Sequence, residues 1–348
     1  MNALNTRPDA DATILSKNET GSCVLFLRPR LLGDIIFTLP ALELFVRHFP
    51  GVKVVFLTEP AFADLVRLFP PIHEVLIMDR RPNARSLLNF RRRVQRLGCR
   101  AAVDFHSGPH SALLTRVSGV RYRIGYHTRN RNWAYTHLTP RHPQNAPSHS
   151  VANQVRLLEH FGIPHRPIPF YPRLSSPVLR EDLALGHDPG RVVIHVGAGN
   201  RFRDWGASNF HTLIDGILER GLRAALIGHS DLERATAAEL SRRFTVDDLT
   251  GKLSLPEVYA FIAASGVYIG VDSGPLHLAS LTKTPLIALY GPNLPAISGP
   301  WRNANVTILQ VDLPCRPCSQ HRCRYDRIRC MQEISPHDVL KAVDHYIR

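Results

Sequence analysis

No apolar run in this sequence approaches the roughly 18 residues that a membrane-spanning helix requires. The longest candidate, Val258 to Val271, is broken by Ser265 and Gly266. The amino terminus carries Asp9, Asp11 and Glu19 and no apolar core. It therefore does not read as a secretory leader, and residues 1–20 are expected to form a disordered tail on a cytoplasmic protein. The dinucleotide fingerprint is missing as well. Only Gly33 follows the first apparent strand, and the pair Gly197 and Gly199 is followed next by Gly206 rather than by a glycine at 202. The lysine of a phosphate-binding loop is also absent, which disfavours a nicotinamide enzyme or an ATPase. Cysteine is scarce, with six residues in 348. Without an export signal a disulfide framework is not expected.

Negative charge is the remaining shortage, with 29 acidic against 43 basic side chains and a net charge of +14. The imbalance is local. Between Arg80 and Arg141 there are fourteen arginines and one acid, Asp104, while the rest of the chain is close to neutral. Such a segment is either a solubilising face or a surface for a polyanion such as nucleic acid, acidic lipid headgroups or a phosphorylated glycan. Charge alone does not choose among them.

What is present is an alternation of strands and helices, told twice. Val24 to Leu27, Val52 to Leu57, Val75 to Met78 and Ala101 to Phe105 read as buried strands, and Cys99 falls at a helix end. A helix capped by Thr38 with Pro40 at its start runs to Phe49. A second, from about Ala84 to Leu97, places Leu87, Phe90, Val94 and Leu97 on one face and Arg85, Arg92 and Arg96 on the other. Prolines accumulate from Pro140 to Pro189, marking the end of the first half. The grammar then restarts with strand Val192 to Val196, the loop Gly197-Ala198-Gly199-Asn200 and a helix from about Ser208 to Arg220. Strand Ala224 to Gly228 follows. Ser254 and Glu257 have capping-box spacing ahead of a helix ending near Ala264. Strand Val267 to Val271 leads to Asp272-Ser273-Gly274-Pro275 and another helix, and Leu286 to Tyr290 reads as the last strand. The expectation is an α/β protein of two Rossmann-like domains, residues 21–170 and 191–335, with a linker over 171–190 and a closing helix over 336–348. Their parallel sheets would face a central ligand cleft.

Several loops carry groups with chemistry. Asp272-Ser273-Gly274 ends a strand and opens a helix, so its free N–H groups suit a diphosphate; an ordinary capped turn has the same spacing. His277 follows one turn on. Arg201 and Arg203, ahead of Trp205, offer guanidinium donors that match phosphate oxygens. Asp231 is placed to accept ribose hydroxyls or to cap a helix. Asp34 is the acid of the first half at a strand-end loop. Transfer of a sugar with inversion needs one such base to take the proton of the attacking hydroxyl.

The motifs resemble a known family. Arg28-Pro-Arg-Leu-Leu-Gly-Asp34 with Thr38-Leu-Pro40, Arg121-Tyr-Arg-Ile-Gly-Tyr126, Gly270-Val-Asp-Ser-Gly-Pro-Leu-His277, Tyr290-Gly-Pro292 and Gly299-Pro-Trp301 are similar to those of the ADP-heptose:lipopolysaccharide heptosyltransferases, glycosyltransferase family 9. The resemblance covers about residues 22 to 346. It implies a GT-B fold and an inverting transfer that requires no metal or other cofactor. Asp34 would be the base, and Arg203, Asp231, Asp272, Ser273, Gly274, Pro275, Leu276 and His277 would hold the donor. Arg28, Arg30, Arg121 and Arg123 would hold the acceptor. Arg203 departs from the lysine that many members have there. Cys315-Arg-Pro-Cys318 with Gly299-Pro-Trp301-Arg302 looks most like the heptosyltransferase III branch. The implied partners are ADP-heptose and the anionic inner core of lipopolysaccharide at the inner leaflet, to which the basic segment is suited. The first rival is a family 9-like transfer on the same fold with another nucleotide-sugar donor or a protein or capsule-glycan acceptor. A non-enzymatic nucleic-acid binder is the rival of a different class; no motif for it is present, and few aromatics interleave with the arginines.

The family assigns no role to Cys315, Cys318, Cys323 and Cys330. Four thiols within sixteen residues, with His321 between, have spacing suited to a structural zinc or iron site. Free thiols and disulfides are the alternatives.

Overall fold

The structure is a computed structural model describing residues 14–16, 18–78, 80–141, 148–165, 174–175, 186–197, 199–301 and 304–347. The chain divides into two compact units, Met1–Ile168 and Pro169–Arg348. Most of the expected linker over 171–190, Ala198 and Arg302 lie outside the described residues.

Unit 1 holds a six-stranded sheet formed by β1 (Cys23–Leu27), β2 (Lys53–Thr58), β3 (Glu74–Ile77), β4 (Cys99–Asp104), β5 (Tyr122–Tyr126) and β6 (His137–Thr139). The order is β3-β2-β1-β4-β5-β6, and every pairing is parallel. β1 is buried along its whole length because it lies in the middle of the sheet with helices on both faces. Leu25 and Leu27 pack with Val55, Leu57, Phe90 and Val94 on one face. On the other, Phe26 packs edge-on against Phe45.

Unit 2 repeats the plan with β7 (Asp188–His195), β8 (Arg223–Ile227), β9 (Asp247–Asp248), β10 (Ser265–Val271), β11 (Leu286–Tyr290) and β12 (Val306–Gln310). Its order, β12-β11-β10-β7-β8-β9, is the same topology counted from β7. Val192 and Ile194 face one core and Val193 the other, the alternation expected of a strand covered on both sides. The C-terminal helix Pro336–Tyr346 contributes Val339, Leu340 and Val343 to the first of these cores. In each sheet the strand order reverses between the two central strands, β1 and β4 in unit 1, β7 and β10 in unit 2. Loops at the carboxyl ends of such a pair are where α/β sheets place ligands.

Three expectations need correction. The last strand is β12 rather than Leu286–Tyr290. Three residues of the supposed tail are structural: Ile14 and Leu15 are buried, and Glu19 pairs with Arg100 at 2.5 Å; residues 1–13 lie outside the described set. Cys99 opens β4 instead of ending a helix, and it forms a disulfide with Cys23. The two cysteines are register partners on neighbouring strands, with Cα atoms 4.4 Å apart. A separation of 76 residues conceals that contact, since only the crossover from β1 to β4 creates it.

Candidate functional site

In unit 1 the loop after β1 is tied to the end of β2: Thr58 Oγ1 donates to the Pro29 carbonyl and the Glu59 amide to the same oxygen at 2.8 Å. Leu31 then adopts φ +69° and leaves its side chain 59% exposed. A leucine at positive φ costs about 1–2 kcal/mol, which the contacts that tie down this loop must offset. Directly after it, the short helix Leu32–Ile36 carries Asp34 in its first turn. Asp34 is therefore not a helix cap. Its carboxylate pairs with Arg28, which is buried and also donates from Nη1 to the Phe105 carbonyl at 2.7 Å. Thr38 precedes the helix Leu39–His48 as expected, but its hydroxyl donates back to the Ile35 carbonyl.

The loop after β4 completes this end. Asp104 is fully buried and accepts the amides of His106 and Ser107 and the hydroxyl of Tyr135. Burial raises its carboxyl above the usual range despite those bonds. His106 is held near a pKa of about 4 by burial and by the charges of Arg28, Arg30 and Arg141, so it is neutral at physiological pH. Its Nδ1 is buried and has no hydrogen-bond partner among the described residues. Arg141 donates to the His106 carbonyl at 2.6 Å and covers the Tyr126 ring at 4.6 Å. Arg30 is half-buried nearby. Arg121 and Arg123 are elsewhere: Arg121 lies over the ring of Tyr122, and Arg123 braces its own turn by donating to the Ala134 and Val120 carbonyls.

In unit 2 the loop after β7 is anchored by Trp205, whose ring is fully buried and donates to the Ile334 carbonyl at 3.0 Å. Gly206, with φ +94°, turns the chain into the next helix. That anchor directs Arg203 at the loop after β10, where Nη1 donates to the Asp272 carbonyl oxygen at 2.6 Å and lies 3.5 Å from its carboxylate. His277 Nε2 stands 3.5 Å from the other carboxylate oxygen, and Asn293 donates to the first at 2.5 Å. Burial works against the charge on Asp272, but His277, Arg203 and Asn293 together hold its carboxyl below the usual range. Ser273, Gly274 and Pro275 are half-exposed at the start of the helix Gly274–Ala279, with Leu276 buried behind them. Pro275 has no N–H, so the amides of Gly274 and Leu276 are what the turn offers. Asp231 stands apart from this group. Its side chain is 98% exposed at the first position of the helix Asp231–Arg243 and pairs with Arg234. The cap there is Ser230, in a box with Glu233.

Sequence reading missed the residues that knit this site. Gln320 accepts from Asn200 at 2.7 Å and from Arg203 Nε at 3.2 Å, and it donates to Asn293 at 2.7 Å. Neutral amides carry no charge pattern or spacing signal, so nothing in the sequence singled them out. His106 was one histidine among 18, and only the arginines folded around it make it distinctive.

The cysteine-rich segment supplies Gln320, whose bonds to Asn200, Arg203 and Asn293 tie it to the site. Cys315, Cys318, Cys323 and Cys330 border one hollow of about 70 Å³. Yet among the described residues no three of His, Cys, Asp or Glu are grouped to hold an ion, so the expectation of zinc or iron is corrected. Burial and the neighbouring thiols push the Cys330 thiol up to about 11. Arg316 does the anchoring: it donates to the carbonyls of Gly291, Val311 and Asn293 and to the Gln310 side chain. Among the described residues no helix is long and apolar enough to cross a membrane.

The geometry places both motif loops at the switch points of their sheets, and comparison with known proteins gives the chain a family. The family model described as glycosyltransferase family 9 (heptosyltransferase) matches residues 88–329. A lipopolysaccharide heptosyltransferase 1 of Pseudomonas aeruginosa is 28% identical over 317 residues, covering 87% of either chain. A lipopolysaccharide heptosyltransferase 3 of Escherichia coli is 26% identical over 333 residues, covering 90% of this chain and 96% of its own. The structure of the E. coli ADP-heptose lipopolysaccharide heptosyltransferase II superposes with a TM-score of 0.77 at 17% identity, covering 93% of this chain and 98% of that one. The fold is thus the GT-B type, two Rossmann-like α/β domains. With the family model spanning well over half its length, the chain belongs to glycosyltransferase family 9, the heptosyltransferases.

Proposed function

We propose that the protein transfers heptose from ADP-heptose, with inversion at the anomeric carbon, to the inner core of lipopolysaccharide. The observation that carries this reading is the contrast at the two switch points. In unit 1, Asp34 is a carboxylate held by a single buried cation. In unit 2, Arg203 and the turn at Ser273 offer donors to an anion.

Asp34 takes the proton of an acceptor hydroxyl as that oxygen attacks the anomeric carbon. The bond to the diphosphate oxygen breaks, and its electron pair leaves with ADP. Arg203, Ser273 and the amides of Gly274 and Leu276 stabilise the charge that develops there. Asp272 and His277 hold Arg203 and the turn in place, and Asp231 accepts from the ribose. No metal takes part. On the acceptor side Arg30 is the available charge and Arg28 braces the loop that carries it; Arg121 and Arg123, at the opening of β5, stand at the other end of that parallel strand. Arg85, Arg92 and Arg96, exposed on the helix Ala84–Arg96, attract the anionic glycolipid and the inner-leaflet surface. On this reading the enzyme works on the cytoplasmic face of the inner membrane. Cys315-Arg-Pro-Cys318 and Gly299-Pro-Trp301 favour an existing inner-core heptose as the acceptor.

Calorimetric titration with ADP, UDP, GDP and CMP tests the donor. ADP is expected to bind at least about tenfold more tightly than the others; a preference for UDP or GDP overturns the assignment. Product analysis with ADP-heptose and core acceptors of defined length tests the linkage.

A further inference from the structure

Behind the turn at Ser273 stands a buried pair that the transfer as described does not use. His195, the last residue of β7, and Glu233, on the helix Asp231–Arg243, are both almost inaccessible. His195 Nε2 lies 3.1 Å from Glu233 Oε1, and His195 Nδ1 lies 3.2 Å from Ser273 Oγ. Three elements of unit 2 therefore meet in one line, Glu233 to His195 to Ser273.

The fold makes specific provision for this line. A Cβ at Gly197 or at Gly228 would come within 2.8 Å of the Glu233 side chain, so both strand-end glycines leave it room. The other carboxylate oxygen, Oε2, accepts the amides of His229 and Ser230, each at 2.8 Å. Burial opposes the charge on Glu233, but His195 and these amides more than offset it and hold the carboxyl far below its usual range. A fixed anion facing one ring nitrogen sets a hydrogen on that nitrogen and locks the ring plane. The second nitrogen then holds the Ser273 hydroxyl, a rotor that would otherwise turn freely at a half-exposed position.

We propose that His195 and Glu233 are positioning residues for the donor: Glu233 orients the His195 ring, and His195 orients the Ser273 hydroxyl toward the diphosphate of the nucleotide sugar. The inference rests on the reading of the Ser273 turn as the diphosphate site. A hydroxyl has one donor and two acceptor positions. A phosphate oxygen calls for the donor, which is free only when Nδ1 carries a hydrogen and Ser273 Oγ accepts it. In the complex the ring therefore bears hydrogens on both nitrogens, one facing Glu233 and one facing Ser273.

The two amide substitutions of His195 separate this role from packing. In His195→Asn the amide nitrogen stands near the position of Nδ1 and keeps the bond to Ser273. In His195→Gln it stands near Nε2 and keeps the bond to Glu233, while filling more of the buried space. ADP affinity by calorimetry is expected to fall about tenfold in Ser273→Ala and equally in His195→Gln, the scale of one hydrogen bond to a charged group. It should fall less in His195→Asn, and His195→Gln added to Ser273→Ala should cost nothing further. A greater loss in Asn than in Gln, or additive losses in the double variant, overturns the proposal. If the His195 variants do not fold, the 15N spectrum of histidine-labelled wild-type protein with ADP decides. The ring whose signals move in Ser273→Ala must show two N–H groups; one N–H overturns the proposal. Failure of wild-type protein to bind ADP removes the donor reading and this inference together. Loss of binding in Arg203→Ala with none in His195→Gln removes the inference alone.

Discussion

The two units are built on one strand order, yet the same point of each sheet is furnished in opposite ways. At the switch point of unit 2 every carboxylate is matched. Asp272 meets Arg203, His277 and Asn293, Glu233 meets His195 and two amides, and partners outweigh burial in both. At the switch point of unit 1 burial wins: Asp104 is raised and His106 and His110 are lowered, and at the β6 edge of the same sheet His137 and His160 are lowered too. A matched, pre-set network is what a site needs to hold one constant anion such as a nucleotide diphosphate. Surplus arginine charge around the Asp34–Arg28 pair leaves binding capacity for something that arrives from outside. The shared scaffold fixes where ligands go, and the loops decide what is done with them.

The largest expected effect breaks the comparison at its chemical end. Asp34→Asn should lower turnover by about 10²-fold or more, the scale of losing a general base, while ADP affinity stays within about twofold. Single-turnover kinetics and calorimetry on one preparation measure both. Near-normal turnover would remove Asp34 from the chemistry. Arg203→Ala should do the reverse, raising the donor KM about tenfold or more and leaving the acceptor KM alone, since the cation it removes serves unit 2 only.

The next effect tests whether the surplus charge of unit 1 is used. Reversing Arg92 and Arg96 to Glu should weaken binding to vesicles containing anionic lipid by about tenfold at low salt, with the difference vanishing near 1 M salt, where screening acts within about 3 Å. Donor affinity should not change. A fall in donor affinity would mean that this helix supports the fold or the donor site.

How far the sequence revealed this difference depends on what kind of signal each residue leaves. The strands were readable because a strand buried on both faces is a continuous apolar run, as Val24 to Leu27 and Leu286 to Tyr290 are. The helix Ala84–Arg96 was readable because Phe90 and Val94 recur at its period between exposed arginines. β12 was missed because its residues are only partly buried and its run, Val306–Gln310, mixes Thr and Gln with apolar side chains. In the site, Asp34, Asp272 and His277 stood out through their motif. His195, Glu233, Asn293 and Gln320 acquire meaning only from partners 20 to 120 residues away, through contacts made by the strand order. Glu233 had even left a trace, as the third residue of a capping box, but that spacing says nothing of the histidine beyond it.

Acid should separate the units. An unfolded imidazole takes up its proton near pH 6.5, whereas folded His106 and His160 decline it until about 4. Their folded values lie below the unfolded one, so the stability of unit 1 is complete above about pH 6.5 and drains away as pH falls toward 4. His110 and His137 act in the same direction. Asp104 opposes them, because a raised carboxyl favours the folded state on acidification, but it stands against four rings. In unit 2 the lowered carboxyls of Asp272, Glu233 and Asp188 keep their contribution down to their unfolded values near 4 and lose it only below. Hydrogen exchange at pH 5 should therefore accelerate in β1–β6 before β7–β12. Simultaneous loss of protection in both sheets would contradict this.

The smallest expected effect concerns the two sets of cysteines, which divide between the units as the charges do. Cys23 and Cys99 are joined where β1 meets β4, so their bond closes a long loop within the sheet of unit 1, and its reduction should destabilise that unit by about 2–4 kcal/mol. The four cysteines of unit 2 lie against a segment already held by Arg316 and Gln320. Cys318 adds only a backbone bond, its amide donating to the Pro292 carbonyl at 3.2 Å, and a serine would keep it. Cys315→Ser and Cys318→Ser should consequently leave the thermal midpoint within about 2 °C. Arg316→Ala, which abandons three carbonyls and the Gln310 side chain at once, should lower it by several degrees, at about 2–4 °C per kcal/mol for a domain of this size. The same variant should weaken ADP binding, because Asn293 is held by Arg316 and itself holds Asp272. Calorimetric scans with and without a chelator, beside elemental analysis of protein purified without a metal-binding tag, provide the check. One metal per chain with a midpoint that collapses in Cys315→Ser would restore a metal centre to unit 2 and reverse the contrast in how the two units secure their irregular segments.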